Sequence, residues 1–186
     1  MSIRYKFADN TYAYFTTSTI VDWCDIFTRE MNKKILLDSI RYCQTNQGLI
    51  IHAWVLMTNH FHSICSCKDG KDIGLIWRNI KSFTAMELID AIIKNPIEPK
   101  REHWLYAFEK AGQESSSNFR FKIWQHENHP VMLDSTEKFN DRLNYIHWNP
   151  VKAGFVTEPA HWLYSSAVDY FTDRKGLLEL SILEGG

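Results

Sequence analysis

The chain has 186 residues, a formal net charge of −1, 45% hydrophobic and 14% aromatic residues, and seven Trp. That composition excludes a disordered chain and supports one packed domain, with or without appendages. The near-zero charge excludes a protein that is basic all over, so any nucleic-acid partner must be gripped by a local patch. No apolar run approaches the ~20 residues of a membrane span, and Met1–Asn10 is charged without the apolar stretch of a signal peptide. No membrane association and a cytoplasmic location are therefore expected.

In chain order, Thr11–Ile20 is rich in aromatic and β-branched residues and reads as a strand. Asp22–Thr28 reads as a loop. Arg29–Asn46 places Met31, Ile35, Leu36, Ile40 and Cys43 at helical spacing, and Gly48 is positioned to stop that helix. Leu49–Met57 and His60–Ser66 read as a hairpin around the two-residue loop Thr58-Asn59, which pairs Met57 with His60 and Val55 with His62. His52 and Trp54 then fall on the opposite face. The four cysteines (Cys24, Cys43, Cys65, Cys67) lack C-x-x-C spacing, and Cys65 and Cys67 share the face of Phe61, so buried free thiols are expected.

Asp72–Lys94 repeats Ile76, Ile80, Phe83, Met86, Leu88 and Ile92 as a second helix that ends before Pro96. Its polar side carries Arg78, Lys81 and Ser82, a stripe that is usually a solvated face and that also suits a phosphate backbone. Asn95–Ser117 reads as a long exposed loop with at most a helical turn near Trp104–Glu109, and Asn118–Gln125 as a fourth strand. The order β-α-β-β-α-β predicts an α+β, ferredoxin-like fold: a four-stranded antiparallel sheet with two helices on one face.

Within that frame His60-Phe61-His62 is the informative stretch. Side chains alternate along a strand, so both imidazoles leave one face while Phe61 enters the helix-covered core. An isolated His-x-His is ordinarily a polar pair on a half-buried strand. Two neutral imidazoles converging from one face are equally the start of a metal site that lacks at least one more ligand. The next segment is the candidate to cover them. Asp134–Trp148 opens with Asp134 as N-cap and Glu137 three residues on, and Phe139, Leu143 and Ile146 form its core stripe. Tyr145 lies on the flank, with Asn149 one turn beyond it, and Pro150 is expected to end the helix. A second histidine pair, His126-x-x-His129 around Glu127, is a weaker zinc candidate because Pro130 makes its local geometry irregular.

Met57-Thr58-Asn59-His60-Phe61-His62, taken with Tyr145-Ile146-His147-Trp148-Asn149-Pro150-Val151-Lys152-Ala153-Gly154, resembles the single-tyrosine transposases of the HUH nuclease type. It resembles most their domesticated branch, the REP-associated tyrosine transposases. Trp77–Thr84, Ile123-Trp124-Gln125 and Trp162–Ser166 extend the likeness collinearly from about Thr11 to Tyr170. Thr58 stands where the family usually has proline, and His147 where many relatives carry an aromatic or aliphatic residue.

The resemblance implies that His60, His62 and Asn149 bind Mg²⁺ or Mn²⁺ and that Tyr145 is the nucleophile. The implied substrate is single-stranded DNA beside a hairpin, cut through a 5′-phosphotyrosine link. Arg78, Lys81 and Lys152 are candidate phosphate contacts. The chain divides into a catalytic domain at 1–156 and an extension at 157–186, acting as a monomer or homodimer. Two other outcomes stay open: an active transposase dimer in which Tyr145 serves the partner's histidines, and a hairpin-DNA binding protein that no longer cuts.

Overall fold

The computed structural model describes residues 7, 9–115, 120–125 and 130–182. Strand β1 (Ala13–Thr19) lies inside a four-stranded antiparallel sheet, between β3 (His60–Cys67) and β4 (Val131–Leu133), with β2 (Leu49–Leu56) outside β3. Helices α1 (Glu30–Asn46) and α2 (Ile73–Ile93) cover one face. This is the expected ferredoxin-like α+β arrangement, and its ends are set locally. Gly48, at φ +79°, takes the left-handed position that closes α1. Asp72 caps α2 by accepting from the Gly74 and Leu75 amides.

The hairpin register is the one read from the sequence. Met57 N donates to His60 O at 2.9 Å, and Val55 pairs with His62 and Leu56 with Phe61. Phe61, Cys65 and Cys67 enter the helix-side core with Trp54, and all four cysteines are buried and free. Ala53, Val55, Met57 and Ile64 look the other way, into a second, smaller core with Phe15 and Leu133.

One residue departs from the alternation. The ladder shifts between Ile51 and Ala53, and this bulge leaves His52 on the same side as Ala53, edge-on to Phe139. Its expected place on the opposite face is thereby corrected. His52 is still not available to a cation from this face: its ring nitrogens are hydrogen-bonded to Ser181 O (2.6 Å) and Ser66 Oγ (2.8 Å).

Three expectations about the segments before residue 130 also need correction. Asn95–Ser117 is not a bare loop, because α3 (Arg101–Gln113) buries Trp104, Ala107 and Phe108 in the main core. Those three recur at i, i+3 and i+4, a helical stripe masked by the charges around it. The fourth strand is not Asn118–Gln125. Among its described residues, 120–125, only Trp124 forms a bridge, to Ile20, while β4 pairs with Ala13–Phe15 further along the same edge of β1. On α2, Phe83 and Met86 are exposed instead of buried.

Helix α4 (Thr136–Lys152) crosses the face of the sheet that α1 and α2 leave open, packing Phe139, Leu143 and Ile146 onto the second core. Its cap is Ser135, not Asp134: Ser135 Oγ accepts from Lys138 N. Pro150 does not end it. The helix runs on to Lys152 and is closed by Gly154 at φ +77°, with Gly154 N donating to Val151 O and Phe155 N to Pro150 O. Pro150 forgoes one amide bond, and it is buried together with Ile146 and His147 of the preceding turn, packing that offsets the loss.

Beyond α4 the chain returns along the outer edge of β2, where Leu56 N donates to Tyr164 O, Ser166 N to Trp54 O and Ser181 N to Ile51 O. A short helix α5 (Ala167–Phe171) lies within this stretch. Among the described residues no helix is long and apolar enough to cross a membrane.

Candidate active site

His60 and His62 leave β3 together, their ring centroids 4.7 Å apart. Each ring is oriented through Nδ1: that of His60 donates to Asn59 Oδ1 (2.7 Å), and that of His62 is hydrogen-bonded to Thr17 Oγ1 (2.8 Å) on the adjacent strand. With Nδ1 engaged on both rings, Nε2 is the nitrogen available to a ligand, and such outer partners are what fix ligating imidazoles. Burial pushes His60 down to about 4. Burial, then the nearby His60 and Arg142, push His62 down to about 3. Both rings are therefore neutral near pH ~7, the form that binds cations.

Helix α4 brings Tyr145 over this pair. Its ring lies 5.2 Å from His62 and 5.9 Å from Phe15, edge-on to both, and remains 37% exposed. Tyr145 thus belongs to the histidine face and not to the stripe of Phe139 and Leu143. Phe15 stacks on His62 at 5.4 Å, and the Arg142 guanidinium stands 5.0 Å above Phe15. Asn149 is half-buried one turn beyond Tyr145 on α4. Among the described residues no group of three or more His, Cys, Asp or Glu stands together. A cation on the two histidines therefore needs an amide, a backbone oxygen or the substrate to complete its shell.

The candidate phosphate contacts separate. Lys152 lines a hollow of about 480 Å³ shared with Tyr145, Arg142, Trp148 and Val131. Arg78 and Lys81 stand on α2, in the helix layer across the sheet from the histidines. Burial pushes the Lys81 ammonium down to about 8, and it lies 5.7 Å from the Trp124 ring. His126, Glu127 and His129 fall outside the described residues.

Thr17, Phe15 and Arg142 were not singled out from the sequence. Arg142 had a signal, since it precedes Tyr145 by three residues and so shares its side of the helix. Thr17 and Phe15 become visible only once β1 is registered against β3, which sets Thr17 opposite His62.

His147, the departure from the family pattern, turns away from the site. It is buried, with Nε2 hydrogen-bonded to Ser166 Oγ (2.9 Å), and sits against Tyr170 and Phe171. Burial pushes it down to about 4. A folded-state pKa below the unfolded ~6.5 gives stability that is whole above ~6.5 and lost on acidification. The loss is on the order of 3 kcal/mol by pH ~4. The urea midpoint is thus expected to fall as pH drops from about 6.5, and His147→Phe to flatten that fall. A variant as acid-sensitive as the parent would contradict this.

No family profile matches the chain. A REP-associated tyrosine transposase from Escherichia coli (strain K12) is 26% identical over 118 residues, 62% of this chain and 53% of that protein. The solved structure of a REP-associated tyrosine transposase bound to a REP hairpin superposes with a TM-score of 0.66 at 18% identity, covering 100% of this chain and 95% of that one. The chain resembles the REP-associated tyrosine transposases. With the structural relative it shares the fold, while the chain spans about half the length of the Escherichia coli REP-associated tyrosine transposase it matches in sequence.

Proposed function

We propose that the chain is a cytoplasmic, divalent-cation-dependent endonuclease and strand transferase that cuts single-stranded DNA beside a hairpin through a 5′-phosphotyrosine intermediate on Tyr145. The observation that carries this reading is the Tyr145 ring, 5.2 Å from His62 on a helix laid across the histidine face. A nucleophile-bearing helix has that place to take; a helix that merely covers the sheet has no need of a part-exposed phenol there. The hairpin-bound relative of the same fold supports hairpin DNA as the substrate class.

The donor set suits a hard divalent cation in part: two neutral imidazoles with Nε2 available, and the Asn149 amide oxygen as the proposed third donor. Mg²⁺ or Mn²⁺ held there supplies Lewis-acid polarisation of the scissile phosphate. A phenol is a weak nucleophile at neutral pH, so positioning must do much of the remaining work. Phe15 and His62 confine the Tyr145 ring from two sides, which limits where its hydroxyl points. Attack by Tyr145 Oη forms an O–P bond to the 5′-phosphate and breaks the P–O3′ bond; the phenol releases its proton to water as it attacks, and the departing oxygen takes one up from water to leave as a 3′-hydroxyl. Reversal rejoins strands without an external energy source.

Arg142 and Lys152, at the same hollow, are assigned to the phosphates next to the cut. Arg78 and Lys81, across the sheet, are assigned to flanking DNA. Tyr145 stands beside the histidines of its own chain, which favours a site complete in one protomer over one shared between two.

The test is incubation of labelled hairpin oligonucleotides carrying a single-stranded 5′ arm with the protein. Expected is cleavage in Mg²⁺ or Mn²⁺, none in EDTA, and a protein-linked DNA species on a denaturing gel. Cleavage with no linked species would refute the phosphotyrosine route.

A further inference from the structure

At the end of β1, two successive residues that are not glycine hold left-handed backbone: Asp22 at φ 50° and Trp23 at φ 54°. For a bulky side chain that conformation is a true outlier, and it persists only when the surroundings impose it. Here the constraint is visible. Asn59 Nδ2 donates to Trp23 O (3.2 Å), while Asn59 Oδ1 accepts from His60 Nδ1 (2.7 Å). One amide thus fixes both the unfavourable turn and the His60 ring. The consequence is that Trp23 is 59% exposed to solvent, its ring edge-on to His60 at 6.0 Å. A residue that serves only packing would not be held in a strained turn with more than half of its surface in water.

From this we propose that Trp23 is a stacking platform for an unpaired nucleobase next to the scissile phosphate. The inference rests on the single-stranded DNA reading above. A phosphate held at the His60–His62 pair places its neighbouring base within a few ångströms, and the indole beside His60 offers a π-face there. Base–aromatic stacking tolerates any sequence but requires the base to be out of a duplex. Trp23 therefore selects unpaired DNA at the cleavage position and leaves sequence unread. It is a binding residue that touches substrate and takes no part in bond making.

The test measures binding of hairpin oligonucleotides in a Tyr145→Phe background, so that no cleavage intervenes, with abasic sites placed one at a time along the 5′ arm. Expected is a loss of about 5- to 150-fold in affinity for Trp23→Leu, matching 1–3 kcal/mol of stacking per base. Trp23→Phe should recover part of it. One abasic position should weaken the Trp23 protein by a similar factor and the Trp23→Leu protein hardly at all. Thermal melts of the variants within a few degrees of the parent would keep a folding defect from mimicking the loss.

Hairpin binding that Trp23→Leu leaves unchanged would overturn the platform alone. So would an abasic penalty that is the same with Trp and with Leu at position 23. A parent that binds no hairpin DNA would overturn it together with the reading beneath it.

Discussion

Tyr145→Phe is expected to abolish strand cleavage, a loss of at least about 10⁴-fold, while hairpin affinity stays within a factor of about two. The size follows from what is removed: a nucleophile that forms the covalent intermediate has no substitute, and single members of such catalytic units cost factors of about 10⁴ to 10⁶. Affinity should hold because phenylalanine keeps the ring that packs edge-on to His62 and Phe15. A denaturing gel for the DNA-linked protein and a filter-binding titration separate the two effects. Residual adduct in the variant would mean that another side chain attacks.

The histidines should split in a way the sequence did not suggest. Read on the strand alone, both face a cleft, and either alanine variant should fold normally. In the structure only His60 is part-exposed; His62 is 5% exposed, stacked on Phe15 and bonded to Thr17. His60→Ala is expected to remove cation-dependent cleavage with little change in stability. His62→Ala should remove cleavage and also cost on the order of 2–3 kcal/mol, because it opens a cavity and strands the Thr17 hydroxyl. Circular-dichroism melts beside cleavage rates in Mn²⁺ check both. Full cleavage by His60→Ala would exclude the pair from the cation site, and a His62→Ala melt like the parent's would contradict the buried geometry.

The parts of this structure legible in the sequence are those fixed by short-range rules. The hairpin register followed from a two-residue loop, α1 and α2 from apolar spacing and stop signals, and α4 from apolar spacing alone. The frame they share, with histidines on the open face and α4 across it, followed from element order. What was hidden depended on contacts between distant segments. The bulge at Ile51/Ala53 that reorients His52 has no local marker, and the Ser66 and Ser181 groups that hold the ring come from elsewhere in the chain. Helix α3 was obscured because charges flank Trp104 and Phe108, which packing against the main core stabilises. Pro150 looked like a stop because local rules disfavour proline inside a helix, yet tertiary packing carries α4 a further half-turn to Lys152. At the site, Tyr145 could be placed by helical phase, whereas Thr17, Phe15 and the Asn59 latch on Trp23 required the sheet to be assembled.

Covalent joining of Tyr145 to DNA is best checked by locating the bond. The protein is incubated with a hairpin oligonucleotide and Mn²⁺, the adduct is isolated under denaturing conditions, and nuclease then trypsin reduce it to a nucleotide-bearing peptide for mass spectrometry. Cleavage after Arg142 and Lys152 releases the peptide 143–152, in which Tyr145 is the sole tyrosine. Expected is a 5′-phosphonucleotide on Tyr145 of that peptide and nowhere else; the nucleotide on any other residue would show that Tyr145 is not the nucleophile.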